Sequence, residues 1–211
     1  MQPRNYGTRT VVTITAMLLV LSAALSPSGP APGECDPVRD EACPPAERVA
    51  ILDLVRQHRS GASDAVRESL VDAIYDESLD ADVDPLLVAS IVARESSFRA
   101  RVVSHKGAVG LMQLRPFVAR DVSERSGVSW TGVETLHSPE LNVRLGVRYY
   151  KELVDRFDGD ASTALTAYNS GPTRVARQLR AGTYRDSSYA RDILDLYSRL
   201  RGAPDGEADR T

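Results

Sequence analysis

The chain has little lysine, little cysteine and no excess of positive charge. Lys106 and Lys151 are its only lysines, and the 211 residues carry a formal net charge of -3. A protein held on nucleic acid through phosphate contacts needs a basic surface, so this balance argues against a nucleic-acid partner. The only cysteines are Cys35 and Cys43, and the histidines His58, His105 and His137 are scattered. That set lacks the spacing of a zinc cluster, so no metal site is expected. The chain also contains no G-x-G-x-x-G, G-x-x-x-x-G-K-[ST], G-x-S-x-G or H-E-x-x-H. Nucleotide cofactors, serine-hydrolase chemistry and zinc-peptidase chemistry therefore lose their usual signatures, and no cofactor is expected. No segment alternates long enough to predict a strand, and no internal repeat is present.

What is present begins with a targeting pattern. Arg4 and Arg9 precede an uncharged stretch, Val11 to Leu25. Small residues follow late in it, at Ser22, Ala23 and Ala24. Fifteen apolar residues are short for a membrane span of about 20. Residues 1–25 are therefore read as an export signal, either cleaved or kept as a membrane anchor, which places the protein in the periplasm or cell envelope. Pro32-Gly33-Glu34 before Cys35 is a poor context for lipid attachment. In an oxidising compartment Cys35 and Cys43 are expected to close a short disulfide loop, the alternative being two free thiols. Residues 26–45 are a Pro-rich linker, and 202–211 a solvated tail.

Between them, 46–201 reads as one all-α domain of about seven or eight helices. Val49, Leu52 and Val55 share one predicted helical face, and Val66, Leu70, Ala73 and Ile74 another. Asp84-Pro85 and Ser138-Pro139 each place an N-cap before a proline at the first helical position. The helix opened by Asp84 is apolar on every side (Leu86 to Ala93), which predicts a central buried helix. The helix opened by Ser138 carries Leu141, Leu145, Tyr149, Leu153 and Val154. Ala161–Tyr168 is stopped by Gly171-Pro172. Tyr189–Leu200 is the last helix, with Ile193, Leu196, Tyr197 and Leu200 on its apolar side.

The chemistry concentrates just after the central helix. Glu95 follows the apolar run directly, and no other acidic residue occurs before Asp121. A carboxylate at a helix C-terminus faces the negative end of the macrodipole, and apolar surroundings also disfavour its charged form. Both effects favour a carboxylic acid that can donate a proton near neutral pH, the pattern of glycoside cleavage. A surface glutamate paired with Arg94 or Arg99 is the plain alternative. Gly107 and Gly110 frame a small-residue turn where backbone can approach a ligand. Gln113 offers donors and acceptors suited to sugar hydroxyl and acetamido groups. Tyr168 and Asn169 end a helix before the Gly171-Pro172 turn, read equally as core filler and cap.

Taken in order, Glu95–Phe98, Ser104–Leu114, Asn142–Tyr149 and Ala167–Pro172 resemble the E-S-x-F, S-x-x-G-A-x-G-L-M-Q-L, N-x-x-L-G-x-x-Y and A-Y-N-x-G-P words of the soluble lytic transglycosylases. The likeness covers about residues 70–200. It implies a goose-type lysozyme-like helical domain that cleaves the β-1,4 bond between N-acetylmuramic acid and N-acetylglucosamine in peptidoglycan. Residue by residue, it implies that Glu95 is the single catalytic acid. Ser104, Met112, Gln113, Tyr168 and Asn169 would line the sugar cleft or the loop beside it. Tyr189, after Asp186-Ser187-Ser188, matches a late tyrosine of either cleft or packing role. Asn142 and Gly146 read as structural. The chain departs from the pattern at Ser97, where glycine is usual, and at Arg115, where methionine is common.

The resemblance also implies a non-hydrolytic reaction, ending in a 1,6-anhydro sugar, that needs no second carboxylate. A hydrolytic muramidase using Asp121, or a non-catalytic wall-binding module, are the alternatives. Arg94, Arg99, Arg101, Lys106, Arg115 and Arg120 suit a substrate bearing lactyl-peptide carboxylates, and equally suit a solvated helix rim. The expected partners are glycan strands and cell-envelope machinery, with the protein acting as a monomer.

Overall fold

A computed structural model describes residues 44–202. The segment read as an export signal, the expected linker up to residue 43 with Cys35 and Cys43, and the residues beyond Gly202 lie outside the described residues. Eight α-helices follow in order: α1 (Ala46–His58), α2 (Asp64–Asp80), α3 (Pro85–Ser96), α4 (Pro116–Ser126), α5 (Pro139–Arg156), α6 (Ala161–Ser170), α7 (Pro172–Arg180) and α8 (Ser188–Leu200). A short 3-10 helix spans Val133–His137 between α4 and α5. Among the described residues, β structure is limited to isolated bridges pairing Val109 with Val103 and with Leu114. No helix there is long and apolar enough to cross a membrane.

The all-round apolar stretch does form the middle of the domain. In α3 every residue from Pro85 to Ala93 is buried, and α1, α2 and α8 pack around it. Its large aliphatic side chains contribute on the order of 10 kcal/mol of gross burial, at about 1.5–3 kcal/mol each. The two hydroxyls inside this helix are satisfied locally: Ser90 donates to Leu86 O (2.8 Å) and Ser96 to Val92 O (3.2 Å). Asp84 caps the helix by accepting from Leu86 N at 2.9 Å. Its other oxygen accepts from the Tyr197 hydroxyl and from Arg201, both at 2.7 Å, which ties the start of α3 to the end of α8.

Elsewhere the faces shift. α1 buries Ile51, Leu54 and Val55 and leaves Val49 exposed, so its inward face lies about a third of a turn from the predicted one. In α2, Leu70, Ala73 and Ile74 are buried as expected, while Val66 is exposed. In both helices the misread valine stands in the first turn, beyond the reach of the core. α5 buries Asn142, Leu145, Gly146 and Leu153 along its inward side, and α8 buries Tyr189, Ala190 and Ile193.

The core has two parts. The larger surrounds α3. The smaller gathers Val109, Leu114, Ala119, Val122, Leu136 and Leu145. Tyr149 and Tyr168 pack against both, with ring centroids 5.3 Å apart. The candidate site lies along this seam.

Candidate active site

Glu95 is the penultimate residue of α3, and the helix ends immediately because Ser97 turns left-handed (φ 49°), followed by Phe98 (φ 58°). Phe98 drives into the core and is 1% exposed. The reversal leaves Glu95 half-buried at the margin of the larger core. Burial raises its pKa above the ordinary carboxylate value. A hydrogen bond from Tyr189 and the charge of Arg94 oppose this and are outweighed. Among the described residues no second carboxylate contributes to the shift.

Tyr189 stands in the first turn of α8, is 5% exposed, and donates its hydroxyl to Glu95 Oε1 at 2.5 Å. Enclosure and the neighbouring Glu95 carboxylate push its own pKa well above that of a free phenol, so near neutral pH it is a donor. Tyr189 thus packs in the core while its hydroxyl meets the Glu95 carboxyl. Arg94 lies over the Tyr189 ring, 5.6 Å from its centroid, and pairs with Asp192 at 3.4 Å. Glu95 itself forms no ion pair with Arg94 or Arg99 among the described residues; Arg99 donates to Ser96 O. The start of α8 is fixed to α6 through Ser187, whose backbone N–H donates to Thr166 Oγ1 (3.3 Å) and whose hydroxyl lies 3.0 Å from it.

The loop between Val102 and Leu114 is built as one unit. Ser104 closes its tip, accepting from Ala108 N through Oγ while its own N–H donates to Ala108 O. Gln113, at φ 48°, turns its amide inward, donating to Gly110 O (2.8 Å) and Val102 O (3.2 Å). Its amide nitrogen therefore holds the loop, and the amide oxygen has no partner among the described residues. The Met112 side chain is wholly buried. Met112 reaches the site only through its backbone carbonyl, which accepts from the Tyr168 hydroxyl at 2.8 Å.

Asn142 anchors this loop from α5. It is fully buried, accepts from Met112 N at 2.8 Å, and donates to Val109 O and Leu136 O at 3.0 Å each. A Cβ on Gly110 would overlap the Asn142 amide and the Leu136 carbonyl, and a Cβ on Gly146 would overlap the Met112 side chain. Both glycines are thus required by close approach, which fits the structural reading of Asn142 and Gly146.

Tyr168 and Asn169 come from the last turn of α6, where Gly171 (φ 91°) breaks the helix before Pro172. The hydroxyl end of Tyr168 is enclosed, which raises its pKa well above the ordinary value. Asn169 is exposed, with no side-chain hydrogen bond among the described residues. Beyond them opens a groove of about 900 Å³. Gln113, Tyr168 and Asn169 stand in its wall; Glu95 does not. Tyr149 also lines the groove and was not singled out as a site residue from sequence, although it closes the N-x-x-L-G-x-x-Y word. Among the described residues no group of three or more His, Cys, Asp or Glu side chains is placed to hold a metal ion.

Known proteins resemble this chain in sequence and in fold. A transglycosylase from Enterobacteria phage PRD1 is 39% identical over 94 residues, covering 44% of this chain and 32% of that protein. An endo-type membrane-bound lytic murein transglycosylase A from Klebsiella pneumoniae is 48% identical over 71 residues, 32% of this chain and 34% of the relative. A soluble lytic murein transglycosylase from Salmonella typhimurium is 32% identical over 122 residues, 57% of this chain and 19% of the relative. The chain thus spans about a third or less of these relatives. Among solved structures, an inactive mutant of lytic transglycosylase Slt from Pseudomonas aeruginosa aligns with TM-score 0.55 and 28% identity over 63% of this chain and 24% of that one. The 70 kDa soluble lytic transglycosylase from Escherichia coli aligns with TM-score 0.59 over 74% of this chain and 30% of that one, at 20% identity, a likeness of fold. The profile of the transglycosylase SLT domain matches residues 72–190, more than half of the sequence, and the chain belongs to that family.

Proposed function

We propose that this protein is a peptidoglycan lytic transglycosylase that cleaves the muramoyl–glucosamine β-1,4 bond through Glu95 alone. The observation that carries the reading is the pairing of Glu95 with Tyr189: one half-buried carboxyl of raised pKa, held by a phenol that stays protonated near neutral pH. With Oε1 engaged, Oε2 carries the proton. Glu95 gives it to the glycosidic oxygen as the C1–O bond breaks, and the glucosamine departs as an alcohol. The carboxylate then accepts the proton of the muramoyl C6 hydroxyl, and O6 bonds to C1. Glu95 ends protonated, no water is consumed, and the product is a 1,6-anhydro sugar.

Most glycosidases place a second carboxylate across the bond. Here the nucleophile belongs to the substrate, and intramolecular attack in good geometry is worth about 7–11 kcal/mol. The Tyr189 hydrogen bond strengthens when Glu95 ionises, because a charged acceptor makes a shorter and stronger bond. Ser104, Met112, Gln113, Tyr168 and Asn169 shape the sugar-binding wall: Ser104 and Met112 through the backbone they hold, Gln113 through its amide oxygen, and Asn169 through an amide free to meet hydroxyl or acetamido groups. A peptidoglycan substrate goes with action in the cell envelope, and the N-terminal segment is read as the signal that exports the protein there.

Mass spectrometry of cell wall digested with the purified protein tests this reading. Anhydro-muropeptides are expected. Products with only reducing ends would mean hydrolysis, with Asp121 the first alternative base to examine.

A further inference from the structure

Two consecutive residues of α3 grip one side chain of α8. Glu95 takes the hydroxyl of Tyr189, and Arg94 lies over the face of the same ring, 5.6 Å from its centroid. Asp192 stands three positions after Tyr189 on α8 and pairs with the Arg94 Nε at 3.4 Å. Residues three apart share a helix face, so Asp192 holds the guanidinium above the ring that Tyr189 presents. Both charged side chains are about half exposed, and such an ion pair contributes little stability by itself. Its effect here is on position. It keeps a cation on a ring that is almost wholly buried and that carries the hydroxyl bonded to Glu95.

The same cation acts on the charges of the pair. Burial favours the neutral Glu95 carboxyl, while the Tyr189 hydrogen bond and the Arg94 charge favour the ionised one. Burial, the Glu95 charge and Tyr168 on α6 keep the proton on Tyr189, and Arg94 opposes them. Tyr168 is itself enclosed and feels the Glu95 charge. α1 and α2 also pack against α3, but among the described residues they place no charge that acts on Glu95. Arg99 turns away and donates to Ser96 O. Arg94 thus makes the phenol a stronger donor, and the carboxylate left after proton transfer is the acceptor that gains from it.

We infer that Arg94, held by Asp192, is a positioning residue of the reaction: it clamps the Tyr189 ring so that the phenol hydroxyl stays on Oε1 of Glu95 and Oε2 stays free for the substrate. It touches no reacting atom and acts through Tyr189. This rests on the lytic transglycosylase reading. In sequence Arg94 is one of several arginines near Glu95, and the ring it covers sets it apart from the others.

The test follows release of anhydro-muropeptides by the full chain and its variants, read as kcat, KM and a pH–rate profile. R94M keeps an apolar cover on the ring and removes the charge. Its kcat should fall about fivefold, the scale of one exposed cation–π contact, with KM unchanged. The limb on which activity falls with rising pH should move to higher pH, because a charge that favoured ionised Glu95 is gone. R94K keeps a cation and should return the limb to its parental place. D192N removes the holder and leaves the charge, so kcat should fall while the limb does not move to higher pH. In a Y189F background R94M should cost little more, because the hydroxyl that Arg94 positions is absent. A parental kcat in R94M or D192N, an R94M limb that stays in place, or an equal fivefold loss in the Y189F background overturns the inference and leaves the lyase reading standing. No anhydro product from the parent overturns the lyase reading, and the inference with it.

Discussion

The hydroxyl of Tyr189 donates to Oε1 of Glu95 at 2.5 Å, joining the end of α3 to the first turn of α8 across 94 positions of sequence. This bond favours the ionised carboxylate, while burial favours the neutral acid, and burial prevails. In Tyr189→Phe the opposing contribution disappears. The limb of the pH–rate profile on which activity falls with rising pH should therefore move to higher pH. Activity at its optimum should drop by about tenfold, because Oε2 loses its fixed orientation and the ionised state loses a charge-assisted bond. A limb that stays in place or moves to lower pH would count against the assignment.

Glu95 should also be a stability liability. Its folded pKa lies above that of the unfolded chain, so the native state binds the proton more tightly. Stability is then fully kept below the unfolded pKa and is lost as pH rises through the interval up to the folded pKa. Glu95→Gln removes the titration. The variant should melt higher than the parent at pH 7, and the difference should vanish by about pH 3, below the usual glutamate value. Thermal melts at the two pH values check this.

Asn142 makes three buried hydrogen bonds to backbone groups of the site loop and the 3-10 segment. Asn142→Leu keeps the volume but strands Met112 N and Leu136 O, while Val109 O keeps its bond from Leu114 N. At about 1–3 kcal/mol for each buried unsatisfied group, the loss should be about 4 kcal/mol. Urea unfolding measures it. A loss under about 1 kcal/mol would show that the loop does not depend on Asn142.

Ser97 occupies a left-handed position at the C-terminus of α3. Glycine adopts that conformation without the Cβ penalty. Ser97→Gly should stabilise the protein by about 0.5–1 kcal/mol, raising Tm by about 2–3 °C for a domain of this size. An unchanged or lower Tm would mean that Ser97 holds this turn by contacts that offset the strain.

Much of the fold was legible because its strongest signals are local. The α3 stretch is apolar on every side, and Asp84-Pro85 and Ser138-Pro139 announce their helices, so burial and boundaries follow from neighbours in sequence. The inward face of α1 was not: with valines and leucines on several sides, Val49 and Ile51 compete, and only packing against α2 and α3 chooses Ile51. At the site, the order of the motif words singled out Glu95 and Tyr189 as candidates, but composition says nothing of the bond between them. Gly146 is a similar case, since the group that excludes a side chain there, Met112, comes from a distant loop.

The direct measurement is the rate at which Glu95→Gln releases soluble muropeptides from intact cell-wall sacculi, alongside its binding to the same sacculi. Glutamine keeps the shape of the side chain and can still accept from Tyr189, but it has no proton to give. Binding should persist while release falls by at least about 100-fold, the scale of general acid catalysis. A variant that releases muropeptides at the parental rate would show that the proton comes from another group.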